Sequence, residues 1–277
     1  MNNILLKSYL RCKRKAWLDY KGDKRNKSWS AQSSIQIINQ YNNFKLFTNG
    51  ELFGGLRGCE RGYKGVCGLR IKSKLREGLH AEVLPSLLIK TSGNSKWGKY
   101  KYIPVVSKLG YKTTKEHILD LALCSILLES FEEVRIDYGL VISNSKNNLF
   151  TEKIFLNKKL KHRTIDLFSD MADSLKGNIP NITEDRKKCS ICHWQSFCDK
   201  EAKTKGYLTD IDGIGKKTAN IFKKIGISNF NQLALHNKLE LDEKLSNFQE
   251  KNLEKTSQFI NQSRAYSSGL PIRVKND

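Results

Sequence analysis

Apolar residues recur at helical spacing near the start of the chain, at Leu6, Leu10, Trp17 and Leu18, which predicts a helix over residues 5–20 that Gly22 ends. A second helix is predicted over residues 31–47. Residues 50–68 are rich in glycine and hold Cys59 and Cys67, so they read as an irregular connection. Two β-rich runs follow at residues 80–90 and 100–108, with the Ser92-Gly93-Asn94-Ser95 stretch between them as a hairpin turn. Thr113-Thr114-Lys115-Glu116 has capping-box spacing, and Ile118, Leu121, Ala122, Ser125 and Leu128 share one helical face beyond it. That pattern predicts a helix over residues 114–131. Strands at 134–143 and 149–156 around a turn at 144–148, and a helix at 158–175, complete the pattern, which is that of an α/β domain with a mixed sheet. After Pro180 the texture changes to a cysteine-rich turn and then to helices, including residues 239–248 and 253–266. The expected division is residues 1–203 and 204–277.

Length and composition narrow the class. The 277 residues suggest two domains, and a 39% hydrophobic content supplies a real core. No apolar run approaches the length of a membrane span; the best, residues 119–128, contains Asp120. The N-terminus does not read as an export signal, so a cytoplasmic location is expected. Forty-nine basic residues against 28 acidic give a formal charge of +21, which favours a polyanionic partner, nucleic acid first. Much of the excess is lysine in an asparagine-rich chain, so the position of the charge is more informative than its sum. Residues 1–28 hold nine basic residues against Asp19 and Asp23.

Seven cysteines in such a chain point to metal more than to disulfides. Cys189, Cys192 and Cys198 form C-x2-C-x5-C, in which the short loop lets two thiolates reach one centre and the third closes around it. A fourth ligand is missing from the run. Cys12, at the basic end of the first helix, is the choice, with Cys59 and Cys67 as rivals; the spacing alone admits zinc or a 4Fe-4S cluster equally. His193 lies in the triplet's loop and could ligate, though an exposed residue is the ordinary reading. Cys124 falls on the apolar face of a helix and reads as a buried small hydrophobe.

Residues 207–234 carry Asp-Gly-Ile-Gly-Lys-Lys-Thr-Ala, then a second Gly-Ile and a Leu-Ala, a pattern similar to a helix-hairpin-helix. Gly213 and Gly215 permit a tight turn, so the N–H groups opening the next helix can face a phosphate beside Lys216 and Lys217. Asp210 and Asp212 offset part of that charge. Such contacts follow the sugar-phosphate backbone without reading bases.

The opening Leu-Arg-Cys-Lys-Arg-Lys-Ala-Trp-Leu-Asp-Tyr, the cysteine triplet and the hairpin together resemble the RecB-like nucleases of the PD-(D/E)xK superfamily, of the stand-alone type with a C-terminal helix-hairpin-helix. The resemblance covers nearly the whole chain. It implies a restriction-endonuclease-like mixed sheet with flanking helices plus a small all-α domain, and a 4Fe-4S cluster on Cys12, Cys189, Cys192 and Cys198 in preference to zinc. It also implies two metal-binding acids and a lysine in a β-hairpin. Here Pro85 is kept, but Ser86 and Val106 stand at the acid positions and only Lys108 remains. Neither Ser86 nor Val106 replaces a carboxylate toward a hard cation. The helix that follows has Asp120 and Cys124 where the family has Gln and Tyr.

The expectation is a nuclease-like protein that binds DNA without sequence preference, in repair, recombination or nucleic-acid metabolism, and lacks conventional metal-dependent cleavage. One alternative is an active nuclease using Mg or Mn held by relocated acids. Asp120 leads that alternative, since Glu82 sits too far along the strand from Ser86, while Glu77 and His80 are also near the hairpin. Another is a zinc-stabilised RNA-binding module.

Overall fold

The computed structural model describes residues 1–29, 31–110, 112–145, 148–183, 186, 189–248 and 255–272. The chain divides into two compact units, one of residues 1–22 and 30–180, the other of residues 23–29 and 181–277. The expected boundary at 204 therefore moves to 181, and a short N-terminal segment joins the second unit. Among the described residues no helix is long and apolar enough to cross a membrane.

The first unit is α/β. It opens with helices α1 (Asn3–Arg11) and α2 (Lys13–Lys21), then α3 (Ala31–Phe47), β1 (Leu52–Gly54), α4 (Gly55–Glu60) and β2 (Gly65–Cys67). β3 (Ile71–Arg76), β4 (Leu79–Val83), β5 (Leu87–Ser95) and β6 (Gly98–Ser107) follow, then α5 (Lys115–Glu132), β7 (Tyr138–Ser145), β8 (Asn148–Phe155) and α6 (Lys158–Lys176). Six strands form one mixed sheet in the order β1-β2-β5-β6-β7-β8, and β3 and β4 form a separate antiparallel pair. β6 and β7 run parallel, as a strand pair joined through a crossover helix does. The central strands carry continuous apolar runs (Leu87, Leu88 and Ile89; Ile103, Val105 and Val106), the signature of strands covered on both faces. The covering helix α5 is buried nearly all round, with Leu119, Leu121, Leu123, Leu127 and Leu128 each almost without exposure.

Several sequence expectations change. The helix over 5–20 is two helices broken at Cys12, whose backbone is extended (φ −162°, ψ 120°). No glycine or proline marks the break. It comes from packing, since α1 lies against α5 while α2 lies against α6, where Trp17 Nε1 donates to Gly177 O at 2.9 Å. The connection at 50–68 contributes two strands at the edge of the sheet, in parallel register with one another. Gly65 is required there, because a Cβ would meet Thr48 Cγ2 at 2.4 Å.

The run at 80–90 divides at Leu84-Pro85-Ser86 into β4 and β5, which belong to different sheets. β5 continues through Ser95, so the hairpin turns at Lys96 and Trp97 rather than at 92–95. The cap of α5 also shifts by one residue: Thr114 is the N-cap, and its N–H donates to His117 Nδ1 at 3.1 Å.

The second unit contains α7 (Gln195–Lys205), α8 (Lys216–Lys224), α9 (Phe230–Leu235), α10 (Lys238–Leu245) and α11 (Thr256–Ser268). Its core is separate and joins Leu208, Ile211, Ile214, Phe222, Phe230, Leu241 and Phe259. The helix expected over 253–266 begins partly outside the described residues. The one expected over 239–248 ends at Leu245.

Candidate functional site

Ser86, Val106 and Asp120 come together in the first unit. They line a cleft of about 240 Å³ with Lys7, Ser8, Arg11 and Lys15 from the first two helices, Gln40 from α3, Ser107, and Glu116 and His117 from the start of α5. The segment between β4 and β5 is fixed by Asn3, which is buried: Leu84 N donates to Asn3 Oδ1 at 3.0 Å, and Asn3 Nδ2 donates to Asp120 Oδ1 at 2.6 Å. Ser107 Oγ accepts from Asn43 Nδ2 at 2.9 Å, which ties α3 to the end of β6.

The acids of the cleft are committed. Asp120, with its side chain only 3% exposed, pairs with Lys7 at 3.0 Å, and Glu116 pairs with Arg11 at 2.9 Å. The four residues are spaced i, i+4 on their two helices, so α1 and α5 are joined by two successive ion pairs. Burial alone would lower the Lys7 ammonium, but Asp120 outweighs it and holds Lys7 above its ordinary value. Lys7 stays charged, and each Asp120 oxygen already accepts a hydrogen bond, one from Lys7 and one from Asn3, so a fixed positive charge sits where a hard cation would have to bind. Val106 offers no donor and Ser86 a weak neutral one. The residues of the cleft do not fit a divalent metal site.

The other expected acids lie elsewhere. Glu82 is on β4, in the smaller sheet, beside Arg70 at 3.6 Å and Lys72 at 3.9 Å, so it does not share a strand with Ser86 as the sequence suggested. Glu77 and His80 do not line the cleft. Lys108, just past the end of β6, turns toward β8 instead: its ammonium lies 3.3 Å from Glu152 and 3.2 Å from Thr113 Oγ1. A hydrogen bond from Thr113, with Lys108 adding to it, holds the Glu152 carboxyl below its ordinary value. Burial lowers the His117 imidazole below its ordinary value, against the pull of Glu116 and Asp120. Cys124 is buried, its Sγ 3.9 Å from Asp120 Oδ1, and burial keeps it a protonated thiol, the small hydrophobe that its place on the helix suggested.

In the second unit the hairpin turns at Gly213, with φ +87°, where a Cβ would meet the Phe259 ring at 3.0 Å. Gly215 differs from its expected role. It is the N-cap of α8 with an ordinary extended backbone, and among the described residues nothing lies within 4 Å of the place a Cβ would take. The turn needs only Gly213, and Gly215 leaves the start of α8 uncovered. Lys216 and Lys217 are exposed beside it. Asp210 turns away to Arg186 at 3.1 Å, so it offsets the lysines less than its sequence position implied. Asp212 is exposed.

Cys189 opens a 3-10 turn and Cys198 lies on α7, while Cys12 is in the first unit. None of the seven cysteines is in a disulfide. Among the described residues no three His, Cys, Asp or Glu side chains gather in a group that could hold a metal ion. His193 is half-buried rather than exposed, and its Nδ1 lies 2.8 Å from Ser28 O. Cys59 is fully buried, and burial pushes its thiol up to about 12, which disfavours a ligating thiolate. Cys67 Sγ donates to Phe53 O at 3.6 Å.

Lys7, Arg11, Lys15 and Gln40 were not singled out from the sequence. The cluster of basic residues over 1–28 was the available signal, but only the contact between α1 and α5 shows which of them enter a cleft.

The chain is thus an α/β protein with a donor-lined cleft and a second, helical unit that contains a glycine hairpin. No family model matches it. No curated protein matches it either. It is similar to a solved structure described as "Crystal structure of SSO0001", with 10% identity over 72% of this chain and 85% of that one, at a TM-score of 0.40. A likeness of that size identifies neither family nor activity.

Proposed function

We propose that the chain is a nuclease-like DNA-binding protein of the cytoplasm that engages the sugar-phosphate backbone and acts in DNA repair, recombination or nucleic-acid metabolism without conventional metal-dependent cleavage. The observation that carries this reading is the hairpin, in which Gly213 makes the turn, Gly215 leaves the start of α8 uncovered, and Lys216 and Lys217 stand exposed beside it. Uncovered N–H groups with adjacent ammonium groups suit a phosphate. Supporting the absence of cleavage, Ser86 and Val106 occupy the expected acid positions, and Asp120 is held by Lys7 and Asn3.

Two measurements test the reading. Binding to labelled single-stranded and duplex DNA should weaken steeply with salt, and Lys216→Glu with Lys217→Glu should weaken it further; an affinity indifferent to both excludes it. Incubation with DNA in Mg2+ or Mn2+ should leave the DNA intact. Cleavage that Asp120→Ala abolishes would instead establish relocated acids. The iron–sulfur expectation is a separable part of the reading. Protein purified anaerobically should contain iron and acid-labile sulfide that Cys192→Ser removes; zinc in their place sinks it, and protein with neither metal leaves the cysteines a structural role.

A further inference from the structure

The cleft of the first unit bears a second feature that the hairpin does not explain. Its lining holds three cations, three hydroxyls, the Gln40 amide and the His117 imidazole against two carboxylates, and Asp19 beside it pairs with Lys15, so the charges balance while N–H donors remain over. Each carboxylate takes one hydrogen bond from a cation that has several N–H groups, Lys7 for Asp120 and Arg11 for Glu116. Lys15 is oriented by Ser8 Oγ at 2.7 Å and by Asp19 at 2.5 Å. The ion pairs therefore place the cations and leave donors over, and Val106 closes the floor without adding an acceptor. At about 240 Å³ the space lies below the roughly 300–1,000 Å³ typical of pockets for drug-sized ligands. A small oxyanion suits it better than a base or a whole nucleotide.

We infer that this cleft is an anion seat that takes a backbone phosphodiester of DNA directly on the Lys7, Arg11 and Lys15 side chains, with no metal ion between protein and phosphate. The inference deepens the DNA-binding reading by assigning a second contact, in the other unit from the hairpin. In a cation seat, acids would converge and remain open. Here Lys7 fills that role as a fixed ammonium, and the ligand that complements the remaining donors is negative.

The experiment measures DNA binding by fluorescence anisotropy in EDTA across a salt series for Arg11→Gln, Ser86→Asp and the Lys216→Glu/Lys217→Glu pair, with circular dichroism as the control for folding. Arg11 is half-exposed, so its loss should leave the fold intact. Arg11→Gln should weaken binding about tenfold and lower the log K against log salt slope by about 0.9, one phosphate contact. Ser86→Asp places a negative charge in the seat and should weaken binding at least as much. If both variants bind DNA as the parent does, with an unchanged slope, the seat is overturned, and the hairpin reading stands or falls on its own pair. If Ser86→Asp instead binds DNA more tightly on adding Mg2+, the cleft is a cation seat and the inference is wrong. Phosphorus NMR with inorganic phosphate separates the source: binding of free phosphate that Ser86→Asp abolishes while DNA affinity is unchanged overturns the assignment to DNA.

Discussion

Glu132 ends α5 inside the core with no exposed surface, accepting hydrogen bonds from Tyr102 N at 3.0 Å and Trp97 Nε1 at 3.1 Å. Burial pushes its carboxyl up to about 7, against the pull of those donors and of Lys96 and Lys101. Because the folded value lies above the unfolded one near 4.5, ionisation opposes folding. The protonated form contributes fully below the unfolded value, and that contribution is lost as pH rises toward 7, roughly 3 kcal/mol in all. Urea unfolding at pH 5 and pH 8 should show the parent losing more stability between the two than Glu132→Gln; an equal loss refutes this account. Gly213 gives a second prediction. Its φ of +87° strains any side chain and a Cβ would press on the Phe259 ring, so Gly213→Ala should cost about 1–3 kcal/mol, measured by the same unfolding. Its need for glycine was legible in the sequence, whereas the ordinary backbone of Gly215 was not, because sequence spacing does not reveal φ. The burial of Glu132 was equally hidden, since an acid at a helix end reads as surface.

Legibility among the elements followed length and locality. The spacing of α5 and α6 was plain over eighteen or more residues, and the observed ends lie within about a residue of those expected. β1 and β2, at three residues each, were lost in a glycine-rich stretch because their pairing with one another and with β5 is set at a distance. The split at Cys12 had no local signal either: α1 and α2 each pack on a different helix, and tertiary contacts overrode an unbroken helical pattern. In the candidate site three of the four positions taken from sequence, Ser86, Val106 and Asp120, did converge, whereas Lys108 turned to Glu152, and the neutralising Lys7 came from an element whose direction could not be read. α5 contributes Leu119, Leu121, Leu123, Leu127 and Leu128 to the buried interior of the first unit. Leu123, fully buried among strands and helices, should cost about 2–5 kcal/mol when replaced by Ala, as urea unfolding would measure.

At the scale of the molecule, buried clusters confined to one unit or the other predict two unfolding events. Calorimetry should show Leu123→Ala lowering one transition and Gly213→Ala the other; a single transition moved equally by both would contradict two independent units. The formal charge of +21 favours polyanions but does not say which residues would act. In the proposed reading they are the cleft cations Lys7, Arg11 and Lys15 and the hairpin lysines, a small share of the sum. The division of the chain also bears on synthesis. Residues 23–29 belong to the second unit, and Ser28 N donates to His193 O, a partner 165 residues downstream. That early segment leaves the ribosome long before its partner exists, while the first unit can be complete at residue 180. The last hundred residues must therefore assemble around a strap that has already been made, and a break at any one point cannot release the second unit whole.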